Sequence, residues 1–181
     1  GETTYTGTDG DDVMDTFGFN HWANAFNGGT RLYGGDGNDT IIVSFNDINT
    51  LKLDLLGVVF DGGSRITATF DGGAGTDTLK LTGTTDVSGG SSGGSLDLQN
   101  ANVQSNLKGF EVIDLLPYSG LLGTTENRGG EGYNSTIKLN LAGIKSISDT
   151  DVLTIMGDSN DVVRISAASH TEGTTVMNGQ S

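Results

Sequence analysis

Apolar and polar residues alternate in short stretches along the whole chain, the period-two signature of half-buried antiparallel strands. The strictest case is Arg65-Ile66-Thr67-Ala68-Thr69-Phe70, accompanied by Thr40 to Val43, Leu51 to Phe60 and Thr78 to Thr82. Beyond the midpoint the pattern returns in Leu96-Asp97-Leu98, Phe110 to Leu115, Thr136 to Leu141, Val152 to Met156 and Val162 to Ile165. Strands this short and evenly spaced, with turn residues between them, predict an all-β fold: an antiparallel β-sandwich or a flattened β-solenoid. The best short-helix candidate is Asn20 to Phe26, where Trp22 and Phe26 stand four apart on one face as core residues. A chain of 181 residues suits one domain.

Three segments share one nine-residue spelling, GGxGxDxUx with U apolar: Gly7 to Asp15, Gly34 to Ile42 and Gly72 to Lys80. The second is a full match, and Thr8 is the single departure. Glycines permit a tight turn with positive φ and leave carbonyl oxygens bare. The sixth-position Asp adds a carboxylate, and the apolar eighth position faces inward on a short strand. A donor set made only of oxygens suits a hard cation, hence Ca2+. Plain hairpin turns are the alternative, since Asp-Gly and Asn-Gly are favoured hairpin loops. Three near-complete copies in one acidic chain are hard to obtain from turn chemistry alone.

On these nonapeptides the chain resembles the RTX family of calcium-binding secreted proteins, whose repeats stack as a parallel β-roll with ions held between successive turns. The resemblance implies metal ligation by the carboxylates of Asp12, Asp39 and Asp77, supported by Asp9, Asp36 and carbonyls around Gly34, Gly37, Gly72 and Gly75. An unbroken array would repeat every nine residues, whereas here the sixth-position Asp residues lie 27 and 38 apart. The expectation is therefore short calcium-binding β-roll turns set on another fold, with Asn27 to Tyr33 stacking under Gly34 to Ile42.

The stretches Leu107 to Leu115 and Ser146 to Val163 look like a module that recurs in very large RTX adhesins. That likeness covers most of the chain. It implies a non-enzymatic, secreted module of the adhesin's ligand-binding region, exported by type I secretion to the bacterial cell surface. There it would support cell adhesion and biofilm formation as a calcium-rigidified scaffold, with adjacent adhesin domains as its partners. Some such regions hold a domain split by inserted sugar-binding or peptide-binding domains. Ser88 to Ser95 spells two SGGS units. It is either a flexible native loop or an engineered linker where an insert belongs, which would make residues 1–181 a single split domain.

Gly157-Asp158-Ser159-Asn160-Asp161 has two readings: a further calcium turn, with Asp158 and Asp161 around one ion, or a solvated hairpin. Near the end, Asn178-Gly179 signals a hairpin turn with no returning strand, so Thr174 to Met177 is expected as an unpaired edge unless its partner lies beyond.

The formal charge is -14, and 18 of the 23 acids are Asp. Such a chain repels nucleic-acid phosphates and anionic lipid heads, so neither nucleic acid nor direct membrane contact is expected. Without Cys, any staple for a glycine-rich fold must come from packing or from a metal. No apolar run approaches the roughly 18 residues of a membrane span, and Gly1 to Gly10 lacks a basic and apolar leader.

HExxH, GxSxG and phosphate-loop motifs are missing, and His21 and His170 are the only histidines, so no enzyme is expected. Two other functions stay open. The domain could itself hold a host-surface peptide or carbohydrate through a calcium ion, with the loop Pro117 to Asn134 and its Tyr118, Asn127, Arg128 and Tyr133 as the ligand surface. It could also be an accessory RTX module of a secreted polysaccharide-modifying enzyme.

Overall fold

Each nonapeptide is the corner of one turn of chain in the computed structural model, which describes residues 3–15, 30–45, 52–55, 58–61, 68–82, 84–85, 91–92, 94–116, 134–166 and 175–179. The first coil runs from β1 (Thr3–Thr6) through the first nonapeptide into β2 (Val13–Asp15). The second joins β3 (Thr30–Asp36) to β4 (Thr40–Ser44). An antiparallel pair, β5 (Lys52–Leu55) and β6 (Val58–Asp61), precedes the third coil, β7 (Ala68–Ala74) to β8 (Thr78–Thr82). A second antiparallel pair follows, β9 (Thr84–Thr85) with β10 (Ser91–Ser92), of which β10 lies within the SGGS units.

The fourth coil carries β11 (Ser95–Asp97), helix α1 (Ala101–Asn106), β12 (Leu107–Lys108) and β13 (Val112–Asp114). The fifth carries β14 (Thr136–Leu139), helix α2 (Leu141–Ile147) and β15 (Leu153–Gly157). The sixth carries β16 (Val162–Ile165) and β17 (Thr175–Gly179). One strand from every coil enters a six-stranded sheet, β17-β15-β13-β8-β4-β2. A four-stranded sheet, β1-β3-β7-β12, and a three-stranded one, β11-β14-β16, form the other walls.

All three of these sheets are parallel, which overturns the antiparallel β-sandwich expected from the sequence. Alternation reports which face of a strand is buried; strand direction is set by the connection. Here the chain makes a full circuit before it pairs, so Asp12, Asp39 and Asp77, separated by 27 and 38 residues, lie one coil apart. Nonapeptides that are not tandem in sequence thus stack directly in space, instead of standing as isolated turns on another fold. Gly157 to Asp161 is no hairpin, because it joins β15 and β16 in different sheets. Asn178-Gly179 is likewise no turn: it lies in β17, which pairs parallel with β15.

The core consists of like residues in register. Met14, Ile41, Leu79, Ile113 and Ile155 form one row across the six-stranded sheet. Leu32, Phe70 and Leu107 form another, and Leu96, Ile137 and Val163 a third. Except for Met14 and Val163, which are partly buried and pack against it, these rows belong to a single buried cluster that also takes in Val103 of α1 and Ile144 and Ile147 of α2.

The helices continue the wall that ends at β12. Both begin at an Asn, whose side chain accepts the otherwise unpaired amides of the first turn: Asn100 from Asn102 and Val103, Asn140 from Gly143. On the outer side of the six-stranded sheet, buried Lys80 pairs with Asp114 at 3.0 Å and also donates to the Leu116 carbonyl. Burial lowers the Lys80 pKa, and the Asp114 carboxylate opposes that shift.

Ile113 is fully buried at the middle of its row. Ile113→Ala is expected to cost about 2–5 kcal/mol in urea unfolding. Val162→Ala, at a residue 44% exposed on the edge of the smallest parallel sheet, should cost under about 1 kcal/mol. Equal losses would contradict the stacked-row core.

Candidate metal centre

The sixth-position Asp of each nonapeptide immediately precedes a strand of the six-stranded sheet, and its carboxylate reaches back one coil. Asp39 Oδ1 accepts the backbone N–H of Asp12 at 2.8 Å, and Asp77 Oδ1 accepts that of Asp39 at 2.7 Å. The N–H of Asp77 goes to Glu111 Oε2 at 3.0 Å. The result is a ladder of four acids on four coils, running alongside the strand ladder.

Glu111 was not among the sequence candidates. Only one residue separates it from Gly109, against four between Gly72 and Asp77, and its extra methylene keeps a carboxylate in the ladder across this shortened turn. The signal for it is an acid directly ahead of a strand, as in Asp12-Val13, Asp39-Thr40, Asp77-Thr78 and Asp161-Val162. Its other oxygen, Oε1, accepts the Asp149 N–H at 3.1 Å, tying the ladder to the fifth coil.

The second carboxylate oxygens separate the copies. Asp12 Oδ2 accepts both the N–H and the hydroxyl of Thr8, at 2.5 and 2.8 Å. Asp39 Oδ2 and Asp77 Oδ2 are buried and accept nothing from the protein, in side chains only 1% and 0% exposed. A buried acceptor without a donor is costly, and more so when charged. Both groups pack against a glycine at which a Cβ has no room. A Cβ on Gly34 would run into Asp39 Oδ2 and the Gly72 carbonyl oxygen, and one on Gly72 into the Asp77 carboxyl group and the Gly109 carbonyl oxygen. Carboxylate and carbonyl oxygens thus converge at every nonapeptide, Gly7 meeting Asp12 Oδ2 and the Gly34 carbonyl oxygen in the same way, but only at the second and third is the carboxylate oxygen buried without a donor. That donor chemistry fits a hard cation such as Ca2+.

Among the described residues no three His, Asp or Glu side chains cluster closely enough to share a metal, so backbone carbonyls would have to supply much of any coordination. Asp9 and Asp36 are exposed and take no part in the ladder's hydrogen bonds, although Asp36 lies close enough to raise the Asp39 pKa. The Gly37 N–H donates to the Ala74 carbonyl at 3.0 Å, and a Cβ on Gly75 would strike the Gly37 carbonyl. Asp161 braces a different corner: Oδ1 accepts from the Ser135 N–H at 3.1 Å and Oδ2 from the Asp158 N–H at 2.9 Å. Asp158 Oδ1 accepts the Asn160 N–H at 2.7 Å. Tyr118, Asn127, Arg128 and Tyr133 lie outside the described residues, as does the helix expected at Asn20 to Phe26.

The carboxylate pKa values follow these partners. Burial raises Asp77 from 3.8 to about 6, with the Asp39 N–H opposing and the charges of Asp39, Glu111 and Asp71 reinforcing. Burial also raises Asp39, opposed by the Asp12 N–H and reinforced by nearby Asp12, Asp11 and Asp36. The backbone N–H and then the hydroxyl of Thr8 hold Asp12 below its usual range.

No protein-family model matches this chain, and no curated protein or solved structure does either.

Between pH 3.8 and about 6 the folded, metal-free chain keeps a proton on Asp77 that the unfolded chain has released. Stability must therefore fall as pH rises through that window, with the penalty complete above it. In chelator, melting at pH 5 is expected several degrees above melting at pH 7. Asp77→Asn should flatten that slope and raise the pH 7 melt; a variant with the parent's slope would refute the assignment.

Proposed function

We propose that the chain is a non-enzymatic calcium-binding module of RTX type, in which Ca2+ at the stacked nonapeptide corners locks the coils into a rigid extracellular scaffold. The observation that carries this is the pair of buried, unpartnered oxygens, Asp39 Oδ2 and Asp77 Oδ2, in carboxyl groups each packed against a glycine that also meets the carbonyl oxygen of the next coil. The residues that would hold the metal are Asp39 and Asp77 with the carbonyls of Gly72 and Gly109. Bound calcium supplies positive charge and coordination to oxygens that the protein leaves without a donor.

The acidic composition supports the same reading, since the charge of -14 is neutralised most directly by a divalent cation. So does the absence of Cys, which leaves a glycine-rich stack with no covalent staple. The biological role that follows is that of a spacer in a bacterial surface adhesin, positioning adjacent binding domains for attachment and biofilm formation. Metal affinity then appears as folding free energy, so the module stays soft where calcium is scarce and stiffens outside the cell.

At calcium concentrations a hundredfold above Kd, each ion is expected to add about 2.7 kcal/mol of stability. Chelation should therefore lower the melting temperature sharply, and magnesium should substitute poorly because it demands a tighter octahedral shell. Asp39→Ala and Asp77→Ala should weaken calcium binding in calorimetry far more than Asp54→Ala in β5. Equilibrium dialysis with no uptake, together with a melt indifferent to chelator, would refute the proposal.

A further inference from the structure

The three nonapeptides are not equivalent, and the difference begins at one residue. Thr8 stands where the other copies have Gly35 and Gly73, whose φ angles are +118° and +99°. Among the described residues Asp151 alone adopts positive φ without being glycine, so Thr8 does not share the left-handed turn. Its N–H consequently faces its own coil's carboxylate, and its hydroxyl points the same way. Both donate to Asp12 Oδ2, at 2.5 and 2.8 Å. The oxygen that is buried and unpartnered in the second and third copies is doubly satisfied in the first.

The far end of the ladder is also closed by protein donors. Glu111 Oε2 takes the Asp77 N–H, and Oε1 takes the Asp149 N–H. Asp161, at the other corner, has both oxygens occupied by the amides of Ser135 and Asp158. Of the five acids that stand ahead of strands in this way, only Asp39 and Asp77 keep a buried oxygen without a protein donor.

We infer that the metal centre is confined to the second and third nonapeptides, and that Thr8 does for the first copy what a divalent cation does for the other two. The stack is thereby bracketed: a metal-independent cap at Asp12 and another at Glu111 hold the ladder ends while the two positions between them respond to metal. A cation approaching Asp12 would have to displace two hydrogen bonds already made to the same oxygen. At Asp39 and Asp77 it displaces none from the protein.

The inference rests on the calcium assignment above, and calcium stoichiometry of the full chain separates the two. Equilibrium dialysis should show Asp12→Asn binding as many ions as the parent chain, while Asp39→Asn and Asp77→Asn bind fewer. Thr8→Gly, which removes the hydroxyl and frees the turn to adopt positive φ, should gain one ion; Thr8→Ser, which keeps the hydroxyl, should gain none. Circular dichroism in calcium selects the variants that fold, and a fault in any one leaves the others to decide. A lost ion in Asp12→Asn, or an unchanged count in Thr8→Gly, overturns the inference while leaving calcium binding intact. No uptake by the parent chain brings down the calcium assignment and this inference with it.

Discussion

One hydrogen bond, repeated coil after coil, organises this molecule: a carboxylate oxygen accepts the backbone N–H of the acid one coil earlier. The donor sits directly ahead of a strand, so the bond fixes that strand's register as well as the corner. The backbone continues the pattern, with the amides of Thr40, Thr78 and Val112 donating to the carbonyls of Asp12, Asp39 and Asp77 at 2.8, 2.8 and 3.0 Å. Hydrogen bonds to a charged acceptor contribute about 1.5–3 kcal/mol each, roughly twice a neutral one. They act alongside the backbone hydrogen bonds of the parallel sheets and the apolar rows that join the same coils.

Much of the corner chemistry was legible in the sequence, and little of its assembly. The nonapeptide spelling marks the acids and glycines that form the ladder, and its apolar eighth position gives Ile41 and Leu79, both fully buried. Direction and stacking were not readable. Period-two alternation is the same for a strand that returns by hairpin and for one that returns after a circuit. The 27-residue and 38-residue separations suggested isolated turns because the crossovers closing each coil carry no fixed length. Glu111 escaped because its turn is too short to spell a nonapeptide, although it keeps the acid-before-strand order.

The helices illustrate a second kind of override. Thr136 to Leu141 alternates without interruption, yet the strand ends at Leu139 and Leu141 opens α2. Asn140 makes the difference: its backbone stays extended, at φ -138° and ψ 176°, while its side chain caps the next turn at the Gly143 amide. Asn100 does the same for α1. An Asn whose side chain caps the following turn therefore marks the point where the chain leaves the sheet, whereas Thr136 and Lys138 of the same run stay in the strand.

Charge decides what the ladder requires. Acids on adjacent coils stand near one strand spacing apart, about 4.8 Å. At an effective dielectric of about 20, two carboxylates at that distance repel by on the order of 3 kcal/mol. The N–H that each accepts is of similar size, so an ionised Asp39–Asp77 pair gains almost nothing from being stacked and still leaves a buried oxygen on each without a donor. Lys80 does not relieve it, being held on the outer face of the sheet by Asp114. The repulsion can be removed by a proton, which burial first and the neighbouring acids second favour on Asp77 by raising its pKa to about 6, or by a cation. At Asp12 the problem is solved within the chain, by one hydroxyl and one turned amide. The contrast between Thr8 and its glycine counterparts is therefore a contrast between a corner that is complete as folded and corners that await a positive charge.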